Sequence, residues 1–135
     1  MVMLRCELAY IENLGDLSEE DYWQEDNKLP FGSGPNVRWC ADIKFTIRVI
    51  DDTLGVFKKR KQSLGDEIYI FVCSPTFAKE PHQVFLNNRT KMITMDSFSI
   101  EETKNRISEQ LSSIKGSSVS ELFDQLKKVF DVEPL

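Results

Sequence analysis

A chain of 135 residues that is 41% hydrophobic and 29% charged has the size and composition of one folded domain, which argues against global disorder. Its formal net charge of −5 argues against nonspecific binding to nucleic acid and suits a basic partner. No apolar run is long enough to span a membrane and no secretory signal is visible. We therefore expect a cytoplasmic protein that folds as one domain over residues 1–135.

The first predicted element is a strand within residues 1–11, in which apolar residues alternate with Arg5 and Glu7. The face expected to be buried carries Val2, Leu4, Cys6, Leu8 and Tyr10. Residues 12–36 show no sustained period and are interrupted by glycine and proline. A helical turn over residues 18–23, begun by Ser18, is the one regular piece expected there. A loop of this length in a small domain is usually functional or disordered.

Residues 37–50 form the clearest predicted strand, with one buried face and one face toward water. The buried set is Ala41, Ile43, Phe45, Ile47 and Val49, and the polar set is Asp42, Lys44, Thr46 and Arg48. Residues 51–65 predict the tip of a long antiparallel hairpin that carries the basic tetrad Lys58, Lys59, Arg60 and Lys61. Such a run is usually only solvated, and binding of RNA or anionic lipid is the alternative.

Residues 68–73 contain no charge and are rich in β-branched and aromatic types, which predicts a strand covered on both faces and ended by Ser74-Pro75. A shorter strand is expected within residues 91–98. Two amphipathic helices follow, begun by Ser99 and Ser118, with Gly116 as the expected stop of the first. The sequence thus predicts an α+β fold, a mainly antiparallel sheet of about four strands with two C-terminal helices packed on it.

The acidic segment, residues 16–26, is the strongest candidate for a binding surface. It contains six acids and no Lys or Arg, and an aromatic pair lies in its middle. Aromatic side chains supply binding energy and acids steer a basic partner, so we predict partner contacts here. The predicted contact residues are Asp16, Glu19, Glu20, Asp21, Tyr22, Trp23, Glu25 and Asp26. The alternative is a solvated loop whose aromatics pack back onto the core.

No catalytic or metal site is predicted from the residue pattern. The lone histidine, His82, stands beside Pro81 in a loop, with no ligand or nucleophile partner nearby in sequence. The three cysteines, Cys6, Cys40 and Cys73, lack metal-site spacing and lie in or beside apolar strand-like runs. We expect them to be buried reduced thiols, and we expect no enzyme activity, no metal and no cofactor.

The order of elements resembles bacterial immunity proteins of polymorphic and contact-dependent toxin systems, in particular immunity protein family eight. The resemblance rests on the acidic element L-S-E-E-D-Y-W at residues 17–23, the strand at 39–49, the run E-I-Y-I-F-V-C-S-P-T-F at 67–77 and the helices at 100–131. Membership would imply a cytoplasmic, non-catalytic protein that binds and blocks one cognate toxin C-terminal domain.

We expect that toxin to be a nuclease, because a basic nuclease cleft would match an acidic inhibitor. The predicted partner is thus the basic toxin domain, with no direct contact to nucleic acid or membrane. Two other classes stay open: a non-catalytic cytoplasmic adaptor or assembly module, and a small enzyme that uses the acidic carboxylates.

Overall fold

The computed structural model describes residues 3–12, 22–54, 60–63, 67–79 and 89–133. Its elements, in chain order, are β1 (Leu4–Ile11), β2 (Tyr22–Gln24), β3 (Trp39–Asp51), a 3-10 helix (Asp52–Leu54), β4 (Arg60–Ser63), β5 (Glu67–Cys73), α1 (Pro75–Ala78), β6 (Met92–Thr94), α2 (Ile100–Ser112), β7 (Lys115–Gly116), α3 (Val119–Val129) and β8 (Asp131–Glu133).

The sheet forms around β3, the longest of the described strands with 13 residues. β1 and β5 lie antiparallel on its two sides, while β2 pairs with the beginning of β3 and β4 pairs with its end. β5, the uncharged run expected to be covered on both faces, has β3 on one edge. In the described part of the chain its other edge pairs with the short β6 and β8.

The described residues form one eight-stranded sheet, so the α+β class is confirmed and the expected number of about four strands is wrong. The main path of the sheet runs β6-β5-β3-β1-β7, and β6 lies parallel to β5 in an otherwise antiparallel arrangement. The additional strands have two to four residues each, which is too short to show an alternating pattern in the sequence.

The main core lies between the sheet and the helices α2 and α3. The alternation predicted for β3 is confirmed, because its five inward apolar side chains are at most 5% exposed. The ring of Phe45 meets that of Phe130 edge to face at 5.0 Å. Burial of each such side chain contributes about 1.5–3 kcal/mol. The helices contribute Ile107, Leu111, Ile114, Leu122 and Leu126 to this core.

β1 contains an irregularity that changes which residues face the core. The strand pairs Leu8 with Ile47 and then Tyr10 with Thr46, so one extra residue lies between them. Tyr10 is 54% exposed, whereas the next residue, Ile11, is 9% exposed and belongs to the core. The prediction that Tyr10 is buried is therefore wrong, because a bulge reverses the face of every residue after it.

Both long helices begin where the sequence predicts. The Ser99 side chain accepts a hydrogen bond from the Glu102 N–H at 3.1 Å, and the Ser118 side chain accepts one from the Glu121 N–H at 3.2 Å. Gly116 does not end α2, which stops at Ser112. Gly116 instead lies in β7, which adds a short strand to the free edge of β1.

The first apolar residue of each predicted amphipathic helix is on the surface. Ile100 is 39% exposed and Val119 is 37% exposed, whereas the later apolar residues Ile107 and Leu122 are at most 1% exposed. Both exposed residues occupy the first helical position. The periodic pattern identifies the apolar side of a helix, but it does not show at which residue that side begins to contact the core.

The sheet face opposite the long helices, here called the outer face, carries a second apolar cluster. Cys40, Phe71, Cys73 and Phe77 form it, with Trp23 packed against it. This cluster covers the outward side of β5, as expected of a strand with two apolar faces. The expectation that the polar face of β3 lies in water is wrong at Asp42, which is 4% exposed.

The basic tetrad is only partly described. Lys58 and Lys59 lie outside the described residues. Arg60 and Lys61 are the first residues of β4, opposite Asp51 and Ile50 of β3. The antiparallel return after β3 is confirmed, but the second half of the tetrad lies in a strand and not at a hairpin tip.

Candidate partner-binding surface

The structure describes half of the predicted contact residues. Tyr22 and Trp23 lie in β2, and Glu25 and Asp26 follow it directly. The other four acids, Asp16, Glu19, Glu20 and Asp21, lie outside the described residues. The helical turn expected over residues 18–23 is wrong at its end, because Tyr22 and Trp23 pair as a strand with Ala41 and Cys40.

The two aromatic residues point to opposite faces of the sheet, as neighbours in a strand do. The Tyr22 ring lies 5.0 Å from the Phe31 ring on the side of the main core. The Trp23 ring lies 6.1 Å from the Phe77 ring, and the Arg38 guanidinium is 5.5 Å from the Trp23 ring centre. Both side chains are half-buried. They pack onto the core, as the alternative interpretation expects, and still keep part of their surface exposed.

Gln24 orders the loop that follows β2. Its side chain is 7% exposed and donates to the carbonyl oxygens of Asp26 and Leu29, at 2.5 and 3.1 Å. Its carbonyl oxygen accepts from the Gly32 N–H at 2.7 Å. One buried amide thus fixes three points of an irregular segment. No pattern in the sequence indicates this role, because Gln24 stands within an acidic run.

Gly32 allows this loop to pack closely against the start of α2. It adopts a positive φ of 75°, and its carbonyl oxygen accepts from the Phe98 N–H at 3.1 Å. A Cβ at this position would lie 2.2 Å from the Phe98 Cβ, so no side chain fits. Phe31, Trp39 and Phe98 form a group of rings with centroids 5.3–5.9 Å apart. The loop is therefore a fixed platform beside the acidic segment.

A hollow of about 570 Å³ opens between β2 and this loop. Its lining comprises Tyr22, Trp23, Gln24, Asn27, Leu29 and Phe31. Leu29 is 43% exposed at its edge. Asn27, Leu29 and Phe31 were not among the predicted contact residues. The signal that could have found them is a pair of apolar residues within a breaker-rich loop directly after the acids.

The described charges beside the hollow have both signs. Glu25 and Asp26 are exposed, and the Asp26 carboxylate accepts from the Lys28 N–H at 2.9 Å. Lys28 is also exposed, and Arg38 lies over the Trp23 ring. The surplus of negative charge in this region comes from the acids of residues 16–21. The described part supplies the aromatic platform, and the acidic character depends on the segment before it.

A network of ion pairs crosses the outer face. The Lys44 ammonium lies 3.0 Å from the Glu67 carboxylate, which also accepts from the Tyr69 hydroxyl at 2.7 Å. These bonds from Tyr69 and Lys44 lower the pKa of Glu67, and the bond to Glu67 raises that of Lys44. Burial, together with the bond to Glu67, raises the pKa of Tyr69 to about 12. The phenol is therefore a neutral donor at ordinary pH.

Arg89 joins three strands on this face. Its Nε donates to both carboxylate oxygens of Asp42, at 2.9 and 3.1 Å, and its Nη1 donates to Glu133. The guanidinium lies 3.6 Å from the centre of the Tyr69 ring. Burial disfavours the charge of Arg89, but the hydrogen bonds to Asp42 and Glu133 outweigh that cost and raise its pKa. This side chain is a structural clamp between β3, β5 and β8.

The thiols are buried and remain protonated at neutral pH. Burial raises the pKa of Cys6 to about 11 and the pKa values of Cys40 and Cys73 to about 12, so almost none of each is thiolate at neutral pH. The predicted burial of all three is confirmed. Among the described residues no group of three or more His, Cys, Asp or Glu side chains is arranged to hold a metal ion. His82 lies outside them.

No helix in the described part of the chain is both long and apolar enough to cross a membrane. Searches against family models, curated proteins and solved structures found no match to this chain.

Proposed function

We propose that this chain is an immunity protein that binds a cognate secreted toxin domain and neutralises it by stoichiometric contact. The resemblance of residues 17–23, 39–49, 67–77 and 100–131 to immunity protein family eight supports this proposal. The toxin is proposed to be basic, with nuclease activity as the expected chemistry, and the complex is proposed to form in the cytoplasm.

The observation that carries the proposal is the aromatic hollow beside the acidic segment. Tyr22 and Trp23 are half-buried, so each offers part of a ring to a partner while its position is fixed by core contacts. A Lys or Arg side chain of the partner would lie against the exposed part of the Trp23 ring, with the exposed Glu25 two residues along the chain, while Tyr22 offers a separate contact on the other face of the sheet. Cation–π contact and ion pairing then act on the same group.

The order of the platform makes such binding favourable. Gln24, Gly32 and the ring of Phe31 fix the loop before any partner arrives. Association therefore does not have to order this loop, and less of the contact energy is lost. The acids of residues 16–26 would raise the association rate of a basic partner, an effect that salt weakens.

The experiment measures binding of this chain to the toxin domain encoded next to its gene. Trp23→Ala is expected to weaken binding about 30-fold, in the range of a buried aromatic anchor. Glu25→Lys is expected to slow association several-fold at low salt and to have a smaller effect at high salt. Glu109→Lys is the matched control, because Glu109 is also exposed but lies on α2.

Equal effects of Glu25→Lys and Glu109→Lys would show that the toxin does not contact this surface. Full binding by Trp23→Ala, in a variant that unfolds at the wild-type urea concentration, would do the same. Self-association of the chain, or binding that salt does not change, would favour the adaptor or assembly module instead.

A further inference from the structure

A second cavity lies on the far side of the sheet from the outer face, where α2 and the end of α3 meet β5 and β6. Its volume is about 320 Å³, at the lower end of the range of small-molecule sites. Its floor is apolar and belongs to the main core: Ile70, Ile107 and Phe130 are at most 3% exposed. Ile93 and Val129 are half-buried walls.

The rim of this cavity is cationic. Lys91, Arg106 and Lys128 line it, and no carboxylate is among its described lining residues. Arg106 has one distant partner, Glu102 at 3.9 Å on the same helix. In the described part of the chain Lys91 and Lys128 form no ion pair. The nearby Asp131 carboxylate is occupied by hydrogen bonds from Thr90 and from the Lys91 N–H.

This charge pattern is opposite to that of the whole chain, which has a formal net charge of −5. Three cations around an apolar floor repel one another unless an anion lies between them. Neither the basic toxin nor the acidic segment would use this site, so it is independent of the proposed function.

We propose that this cavity binds a small anionic amphiphile, a free carboxylate that carries one apolar chain or ring. The apolar body would lie on Ile70, Ile107 and Phe130, and the carboxylate would accept hydrogen bonds from Lys128 and Arg106 at the mouth. At about 30 Å³ per water-sized group the volume holds roughly ten non-hydrogen atoms. A two-chain membrane lipid is too large for it.

Octanoate, with ten non-hydrogen atoms, is the first probe. Amide shifts in a nuclear magnetic resonance titration are expected at Ile93, Ile107 and Val129, with a Kd on the order of 0.1–1 mM for so small a ligand. Octanol and octylammonium, which have the same chain with a neutral or a positive head, are expected to bind at least about tenfold more weakly. Binding of octanol as tight as that of octanoate would overturn the proposal.

Neighbouring lysines on α3 provide a matched pair of variants. Lys128→Glu is expected to weaken octanoate binding about tenfold, and Lys127→Glu, which makes the same charge change away from the cavity, is expected to leave it unchanged. Both residues are exposed, so both variants should fold. Equal loss in the two variants, or shifts only outside the cavity, would contradict the assignment. If the amide signals of the cavity residues shift with an acidic peptide and not with octanoate, the occupant is a protein segment and the proposal is wrong.

Discussion

Removal of the Arg89 charge should strongly destabilise the fold. The side chains of Arg89 and Asp42 are 3% and 5% exposed, and the two carboxylate oxygens of Asp42 both accept from Arg89 Nε. Arg89→Met keeps the length and apolar stem of the side chain but leaves the Asp42 carboxylate buried without this cation. Breaking a buried pair in this way typically costs about 3–5 kcal/mol. We expect the free energy of unfolding to fall by that amount.

The reciprocal change should cost less. Asp42→Asn leaves Arg89 in contact with Glu133 and with the Tyr69 ring, so its charge stays partly compensated. We expect a loss of about 1.5–3 kcal/mol, the value of one hydrogen bond to a charged group. In the double variant neither charge remains, and the loss should be smaller than the sum of the two single losses by at least about 1 kcal/mol.

Urea unfolding at neutral pH measures these losses if the dependence on urea concentration is unchanged between variants. Arg5→Met is the matched control, because Arg5 lies 2.8 Å from Asp52 in a pair whose side chains are 35% and 38% exposed. Such a pair contributes at most about 1 kcal/mol. If Arg89→Met costs no more than Arg5→Met, the clamp described for the outer face does not stabilise the sheet.

Two further predictions concern the loop platform and alkaline pH. Gly32→Ala should destabilise the fold by about 2–4 kcal/mol in urea unfolding, because alanine is strained at a φ of 75° and its Cβ meets that of Phe98; a loss below 1 kcal/mol would contradict the packing. Folding raises the pKa of Tyr69 from 10 to about 12 and the pKa values of the three thiols from 9 to about 11–12. Their contribution to the free energy of unfolding is therefore fully present below pH 9, and it is lost as the pH rises toward 12. Each contributes a slope of at most about 1.4 kcal/mol per pH unit, and the urea midpoint should be lower at pH 10.5 than at pH 8, with a smaller difference in Tyr69→Phe. An unchanged midpoint would show that these groups ionise in the folded state as they do in the unfolded one.

The sequence predicted those features that rest on local patterns. The alternation of β3 identified its buried face, and the serines at 99 and 118 identified where both helices begin. These signals work because a strand face and a helix cap are each determined within a few residues. The strand number was wrong because β2, β4, β7 and β8 are too short to carry a period.

Contacts between distant residues were not predictable in the same way. Asp42 and Arg89 are 47 residues apart, and Arg89 stands in a segment with no pattern. The charge count found the acidic segment, but only the pairing of β2 with β3 shows that Tyr22 and Trp23 face opposite sides of the sheet. The bulge that exposes Tyr10 has no marker in a run of alternating residues.

The central claim is that this chain neutralises a toxin, and co-expression tests it most directly. The C-terminal domain of the secreted protein encoded next to this chain would be produced in bacteria with and without it, and viable cells counted. We expect the domain alone to be lethal, the wild-type chain to restore growth and co-purify with the domain, and Trp23→Ala to restore growth less well. A harmless domain, or one that stays lethal with the folded wild-type chain present, would contradict the claim.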